Sequence, residues 1–498
     1  MTFRQSFLPL CLGSAITLMV YGYQFGRSNH TAYLLDALRL SEPPVLANDW
    51  FTTQTLQYHV AFTRITEVLM KLHIVAPAFA VFYVALVVLF HIAWRGIIGQ
   101  LGGTDRAYLA SVALYYLSAA GTALGMYQFF QDSSLLPSNI ANVALLWGLY
   151  FWIAGRYRTA GLCLGIAGIF HLNHALVGIL LWLVLCASLP LAPSRKNLPA
   201  YFFALVPSAI NIALAARLKL SRSGAMPFDQ FLELYVRLRH PHHYDPSSWP
   251  LGIWIAFGWT IIPGLSLLRG QWRRIFIFFL GLNLVALIGA GFWYFSETLV
   301  QMSLYRFSID VQILGCSALA VWIEAAPSRK RLVGFGGAAG CIAMIAVCAV
   351  RGPFYGFFKN TDDDSDYLAA CQWVATNTPV DAVCVVPPDE QSMRLMGRRA
   401  IIVNFKSVPQ LSAELLEWNR RLCDVLKVDR LRDDSHNFEQ TLVYIRKRYN
   451  ELSTEQLTQT AHQYGARLIV GTHELDFPDS QLIFTSAGRR YFVYDLSR

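Results

Sequence analysis

Apolar runs separated by short polar connections dominate the chain. They lie near residues 7–25, 75–94, 107–130, 137–155, 159–172, 175–192, 198–216, 251–268, 274–295, 310–326 and 332–351. Most reach the roughly 18 residues that cross a bilayer as helix. The stretch 159–192 is too long for one span and is broken by His171, Asn173 and His174. We read it as two spans joined by that polar turn. The pattern therefore predicts a membrane all-α protein of about eleven transmembrane helices.

The polar segments are organised as clearly as the apolar ones. Residues 27–73 form a long connection rich in Tyr, Phe, Leu and Trp. A connection of that length and composition is expected to be ordered and functional. Beyond Arg351 the pattern changes to that of a soluble domain, residues 359–498. A helix is expected to stop near Asn377, followed by strands at 382–386, 400–405 and 467–471. A closing hairpin is expected at 482–485 and 491–494, and helices at 410–427, 437–450 and 453–464. Strands alternating with helices predict a small α/β domain on a mostly parallel sheet. The division expected is a polytopic part, 1–352, containing the 27–73 loop, and a soluble part, 359–498.

Composition agrees with this pattern. Of 498 residues, 55% are hydrophobic and 15% charged, against about a quarter charged in a soluble domain. The net charge of +9 does not point to nucleic acid, because much of it sits in short loops. With the N-terminus in the cytoplasm, the inner connections carry Arg95 and Arg106, Arg156 and Arg158, Arg195 and Lys196, Arg269, Arg273 and Arg274, and Arg329, Lys330 and Arg331. That is the positive-inside pattern. It places the protein in the plasma membrane, with residues 359–498 on the extracytoplasmic face. Merging 159–192 into one span would turn the later basic loops outward, so the charges support the split. Six cysteines in apolar runs read as small buried hydrophobes. No CxxC pair, P-loop, GxGxxG or G-x-S-x-G motif occurs.

The same threading brings most histidines to the outer side. His30, His59, His171, His174, His240, His242 and His243 gather there with Asp36, Asp49, Arg237, Arg239, Tyr244 and Arg306, while His91 falls near the inner side. Polar groups at a membrane boundary mark sites. Asp49 and Asp36 could accept a proton from a hydroxyl. Against that, Asn48-Asp49-Trp50 reads as a helix start, and Asp36 fits the polar face of an amphipathic helix. His30 could serve as base, phosphate contact, metal ligand or interfacial hydrogen-bonding group. Arg237 to Asp245, with Arg239, His240, His242, His243 and Tyr244, is the densest polar signal. It suits an anion held by charge-assisted hydrogen bonds, and its spacing matches no standard zinc pattern. Arg306 also fits a side chain snorkelling to headgroups. Asp362 to Asp366 lacks calcium-loop spacing and reads as a solvated helix start.

These elements resemble the GT-C superfamily of membrane glycosyltransferases. The resemblance is carried by residues 26–35 after the first span, Asn48-Asp49-Trp50-Phe51, His171–His174, the loop through Arg239 and Tyr244, Thr376–Pro379 and the C-terminal domain. It implies transfer of a sugar from a polyprenyl-phosphate carrier to an acceptor on the outer face. Asp49, Asp36 and His30 would then be catalytic. His59, His171, His174, Arg239, His240, His242, His243, Tyr244 and Arg306 would bind substrate. No cofactor is required. A divalent cation is compatible, with no ligands assigned. The superfamily usually carries an Asp-Glu pair before a Tyr after the first span, whereas Asn29-His30 stands here before Tyr33. A non-catalytic assembly protein with a degenerate transferase fold, or a transporter, are the alternatives.

Overall fold

The computed structural model describes residues 3–57, 59–188, 194–221, 226–326, 328, 330–350, 365–431, 437–477 and 481–496. Arg329, Arg351 and the aspartates 362–364 lie outside them. The chain forms two compact units. One comprises residues 1–24, 77–217 and 242–359; the other comprises 25–76, 218–241 and 360–498.

The first unit is helical. Among the described residues, four helices are long and apolar enough to cross a membrane: Val75–Gln100, Leu198–Leu218, Gly270–Phe292 and Glu297–Ala325. Shorter apolar helices include Phe7–Tyr21, Tyr157–Phe170, Leu172–Ser188, Leu251–Leu267 and Val333–Ala346. Large apolar side chains such as Val81, Ile262 and Phe335 remain exposed. Exposed apolar surface on this scale needs a lipid or protein cover.

The polar turn at 171–174 makes a hairpin. Helices Tyr157–Phe170 and Leu172–Ser188 are separated only by His171, whose backbone is extended. They run antiparallel: a Cβ on Gly178 would lie 4.0 Å from the Leu164 carbonyl oxygen, and one on Gly168 would lie 3.2 Å from the Ala175 Cα. The first of the pair also packs closely on helix Leu198–Ser221. A side chain at Gly161 or Gly165 would meet the carbonyl oxygen of Ala200 or Phe203 at 2.4 or 2.1 Å. Small residues four apart allow this approach of backbones in an apolar setting.

Loops of this unit gather at two ends. At one end Gln100 donates to the Tyr150 carbonyl (2.9 Å), Trp152 to Gln271 (2.8 Å), Arg158 to the Lys196 carbonyl (2.8 Å) and Arg274 to the Ser188 carbonyl (2.9 Å). The Thr104 amide donates to Glu324 there at 2.8 Å. These are the short basic connections. The other loops, near 118–136, 171–174, 242–249 and 294–307, meet one another instead. Between the ends, His91 is held at both nitrogens by Thr17 and Tyr108, each at 2.7 Å. A buried imidazole satisfied in this way is structural. Cys316 and Cys341 are buried, but Cys11 is exposed on the first helix, where the sequence reading expects a buried hydrophobe.

In the second unit a five-stranded sheet has the order β2-β1-β3-β5-β4. Its strands are β1 (Val383–Val385), β2 (Ala400–Ile401), β3 (Leu468–Gly471), β4 (Gln481–Thr485) and β5 (Phe492–Asp495). The first three are parallel; β4 and β5 form the antiparallel hairpin. Helix Ser365–Asn377 lays Tyr367, Ala370, Cys371 and Val374 on Cys384, Leu468, Val470 and Val493. Helices Ser412–Leu426, Phe438–Asn450 and Thr454–Tyr464 complete the domain. The last opens with a Ser453–Gln456 capping box. Residues 25–76 cluster with this sheet domain. Asn48 donates to the Asp381 carbonyl at 2.9 Å, and Glu42 pairs with Arg398.

Candidate functional site

At the loop end of the helical unit, four chain segments bring cationic and imidazole groups together. Helix Pro137–Ile153 contributes Asn142, whose amide donates to the Phe129 carbonyl at 2.9 Å. That bond turns its Oδ1 toward His174 Nε2, 2.8 Å away. His174 Nε2 therefore carries the proton, and Nδ1 presents a lone pair. His174 is 1% exposed, and its Nδ1 is buried with no hydrogen-bond partner among the described residues. The ring lies edge-on to His171 at 5.0 Å and 5.1 Å from Phe307.

Arg306 precedes Phe307 and acts electrostatically on His174. Its guanidinium stands 4.8 Å over the Tyr127 ring. Among the described residues it makes no ion pair, and its Nε is buried without a partner. A cation–π contact lowers the cost of such a charge but leaves its donors unspent. Tyr127 stacks in turn on His243 (4.7 Å, 6°), and His243 lies 4.1 Å from His242. His243 Nδ1 donates to the Gly125 carbonyl at 2.6 Å. Gly125 has a φ of +65° and its Cβ position lies 2.8 Å from the His243 carbonyl oxygen, so a side chain has no room there. Tyr244 shares a 2.6 Å hydrogen bond with Ser303. Of the residues proposed to bind substrate, His171, His174, His242, His243, Tyr244 and Arg306 thus belong to this unit.

The others belong to the sheet-containing unit and are spent on holding it. Asp49 is fully buried; it caps helix Trp50–Gln54 through the Thr52 amide. Its other oxygen accepts from Arg394 Nε at 2.7 Å and from the Ile401 amide at 3.2 Å. The carboxylate thus links the first loop to the turn and strand at 393–401. Three of its roughly four acceptor positions are filled, and its full burial closes it to an incoming hydroxyl. Asp36 is paired locally with Arg39 at 2.7 Å. His30 is buried, and its Nδ1 accepts from the Gly26 amide at 3.1 Å. His59 is 7% exposed and packs edge-on against Tyr33 at 4.8 Å.

Arg239 is held inside the sheet-containing unit. It is 4% exposed and donates to the carbonyls of Phe405 (2.9 Å) and Lys406 (3.0 Å). Its guanidinium also lies against the rings of Phe405 and Phe438, at 5.4 and 5.1 Å. It fastens residues 218–241 to the sheet domain, where an anion contact was expected. His240 shares a 2.9 Å bond with the Tyr235 carbonyl and packs on that ring.

Sequence reasoning passed over Asn142 and Asp310. Asp310 is 7% exposed at the start of helix Ser308–Ala325, one turn after Arg306, and makes no ion pair among the described residues. The signal for it was an acidic residue opening an apolar run four positions after an arginine. Among the described residues no group of three or more His, Cys, Asp or Glu could hold a metal ion.

Residues 365–425 match a domain of unknown function, DUF6798. They cover helix Ser365–Asn377 through helix Ser412–Leu426, including Arg394. No curated protein matches the chain.

Proposed function

We propose that the protein is a polytopic membrane transferase of the GT-C type that binds a lipid-linked sugar phosphate at Arg306. The observation that carries this reading is the Arg306 guanidinium, buried at Nε and without a carboxylate partner among the described residues. A half-buried cation with a buried, unpartnered donor favours a counter-charge, and a phosphate offers the acceptors that guanidinium donors fit. His174 supplies a neutral Nδ1 of fixed tautomer. It takes the acceptor hydroxyl's proton as the acceptor oxygen bonds to the sugar anomeric carbon. The bond from that carbon to the carrier phosphate breaks, and the phosphate leaves with its electron pair toward Arg306. Asp49 and Asp36 take no part, because each is already paired.

The span count supports this class. The three segments of the sheet-containing unit pack as one body, so they share one side of a bilayer. The stretches between them must then cross it an even number of times. Six helices fill the first, Val75–Gln100, Asp105–Leu117, Pro137–Ile153, Tyr157–Phe170, Leu172–Ser188 and Leu198–Ser221. Four fill the second, Leu251–Leu267, Gly270–Leu287, Ser308–Ala325 and Lys330–Val350. With the first helix this gives about eleven spans. Basic residues in the short connections between the apolar helices favour an extracytoplasmic sheet domain and a plasma-membrane location.

A second reading, a non-catalytic assembly protein, is favoured by the pairing of both first-loop aspartates. One pair of measurements separates the two. Native mass spectrometry with undecaprenyl phosphate reads binding, and surface glycan in a host that needs the protein reads transfer. Arg306→Ala is expected to lose roughly tenfold or more in lipid-phosphate binding. His174→Phe is expected to keep binding and lose glycan. Glycan unchanged in both well-expressed variants would overturn the transferase reading. Binding unchanged in Arg306→Ala would overturn the anion site.

A further inference from the structure

Helix Val60–Lys71 is a twelve-residue element of the sheet-containing unit. One face is inward: Phe62, Thr63, Thr66 and Met70 are buried. The opposite face is also apolar, which a helix bathed in water does not need. Ile65, Val68 and Leu72 are 47, 55 and 59% exposed. Their spacing of three and four residues puts them in one stripe. Arg64 and Lys71 stand exposed beside that stripe. Glu67 binds both, at 2.7 Å from Arg64 and 2.6 Å from Lys71. The three together leave one net positive charge along the flank.

What covers the stripe follows from where the chain goes next. Only Leu72, His73 and Ile74 separate this helix from Val75–Gln100, the most apolar candidate span together with Gly270–Phe292. Leu72 and Ile74 are themselves exposed. A linker of three residues reaches about 10 Å. The stripe therefore ends within that distance of the point where the next helix enters hydrocarbon. An amphipathic helix with an apolar stripe and cations along its edge is suited to the headgroup boundary, with its long basic side chains reaching the phosphates. We propose that helix Val60–Lys71 lies in the lipid interface, with Ile65, Val68 and Leu72 seated among acyl chains and Arg64 and Lys71 at the headgroups. It anchors the first loop to the leaflet from which Val75–Gln100 starts. This inference rests on the membrane reading of that span and is independent of the Arg306 site.

Photocrosslinking in the full chain tests it. p-Benzoylphenylalanine is placed singly at 65, 68 and 72 in protein reconstituted into phospholipid nanodiscs. The same probe at Val443, an exposed apolar position of helix Phe438–Asn450, is the comparison. Lipid adducts are expected from all three positions, about tenfold above Val443. Yield at 68 is expected to rise when phosphatidylglycerol replaces part of the phosphatidylcholine, and less so in Arg64→Gln/Lys71→Gln. Ile65→Glu/Val68→Glu, whose side chains point away from the core, is expected to elute as the parent does and to lose the adduct at 72. Adducts to protein, or no lipid adduct above the Val443 level, would overturn the proposal.

Discussion

Replacing Asp49 by asparagine deletes one negative charge from a fully buried position while keeping a side chain that caps helix Trp50–Gln54. Arg394, itself 1% exposed, is left with Asn404 Oδ1 at 3.0 Å and the Phe51 ring at 5.2 Å. Breaking a buried ion pair by removing one partner costs about 3–5 kcal/mol. In a cooperative unit of this size class each kcal/mol moves the melting temperature by about 2–4 °C. The expected fall is therefore about 6–20 °C. Asp36→Asn, which loosens a surface pair with Arg39, should move it by no more than about 4 °C. The assay is a tryptophan-fluorescence melt of the detergent-solubilised full chain. Limited proteolysis within residues 365–496 run alongside shows which unit has opened. Asp49→Asn/Arg394→Met removes the stranded cation as well and should recover part of the loss. A single variant melting within about 2 °C of the parent, or a double variant losing the sum of both singles, would refute the argument. If Asp49→Asn instead kept its melting point and abolished surface glycan, Asp49 would be catalytic and the pairing incidental.

Three further outcomes follow from the packing. Gly165→Leu drives a side chain into the Phe203 carbonyl; it should separate helices Tyr157–Phe170 and Leu198–Ser221 and broaden the size-exclusion profile, whereas Gly252→Leu, with open space at its Cβ position, should not. Arg239→Lys keeps the charge but cannot donate to both the Phe405 and Lys406 carbonyls through a planar fork lying against two rings. It should cost about 1–3 kcal/mol in the same melt, and unchanged lipid-phosphate binding would confirm that Arg239 fastens rather than binds. The Arg490 hydrogen bond, with the Gly488 amide, holds the Asp366 carboxyl below its ordinary range. Its stabilisation is present above the unfolded value and disappears as pH falls through the folded one. Stability of the sheet-containing unit should drop on acidification below about pH 4, and Asp366→Asn should flatten that limb. An unchanged acid limb would discount the pair.

Local patterns made the secondary structure legible. Val383–Val385 and Leu468–Gly471 are short apolar runs with β-branched residues, and the interruption at His171 marked the hairpin. Tertiary choices were less visible. Nothing near Asp49 announces Arg394, 345 positions away, so the sequence offered a proton acceptor or a helix cap there and the buried pair stayed out of sight. The basic stretch around Pro241 looked like one site because its residues are consecutive. In the fold the chain passes from one unit to the other there, leaving Arg239 and His240 on one side of the division and His242, His243 and Tyr244 on the other. Arg239 and Arg306 were equal as letters. They differ because carbonyl oxygens receive one and an aromatic face with few acceptors receives the other.

A body stitched from residues 25–76, 218–241 and 360–498 has a biosynthetic schedule. Its first segment leaves the ribosome long before Arg394 exists, and its second before Phe405 does. Until the tail is translated, Asp49 has no arginine to meet and Arg239 no carbonyls, so both wait in water or with a chaperone while the apolar helices insert. Premature termination anywhere past the final apolar helix would therefore strand two earlier segments as well as shorten the end. Such products should be cleared by quality-control proteolysis at the first loop, far upstream of the lesion.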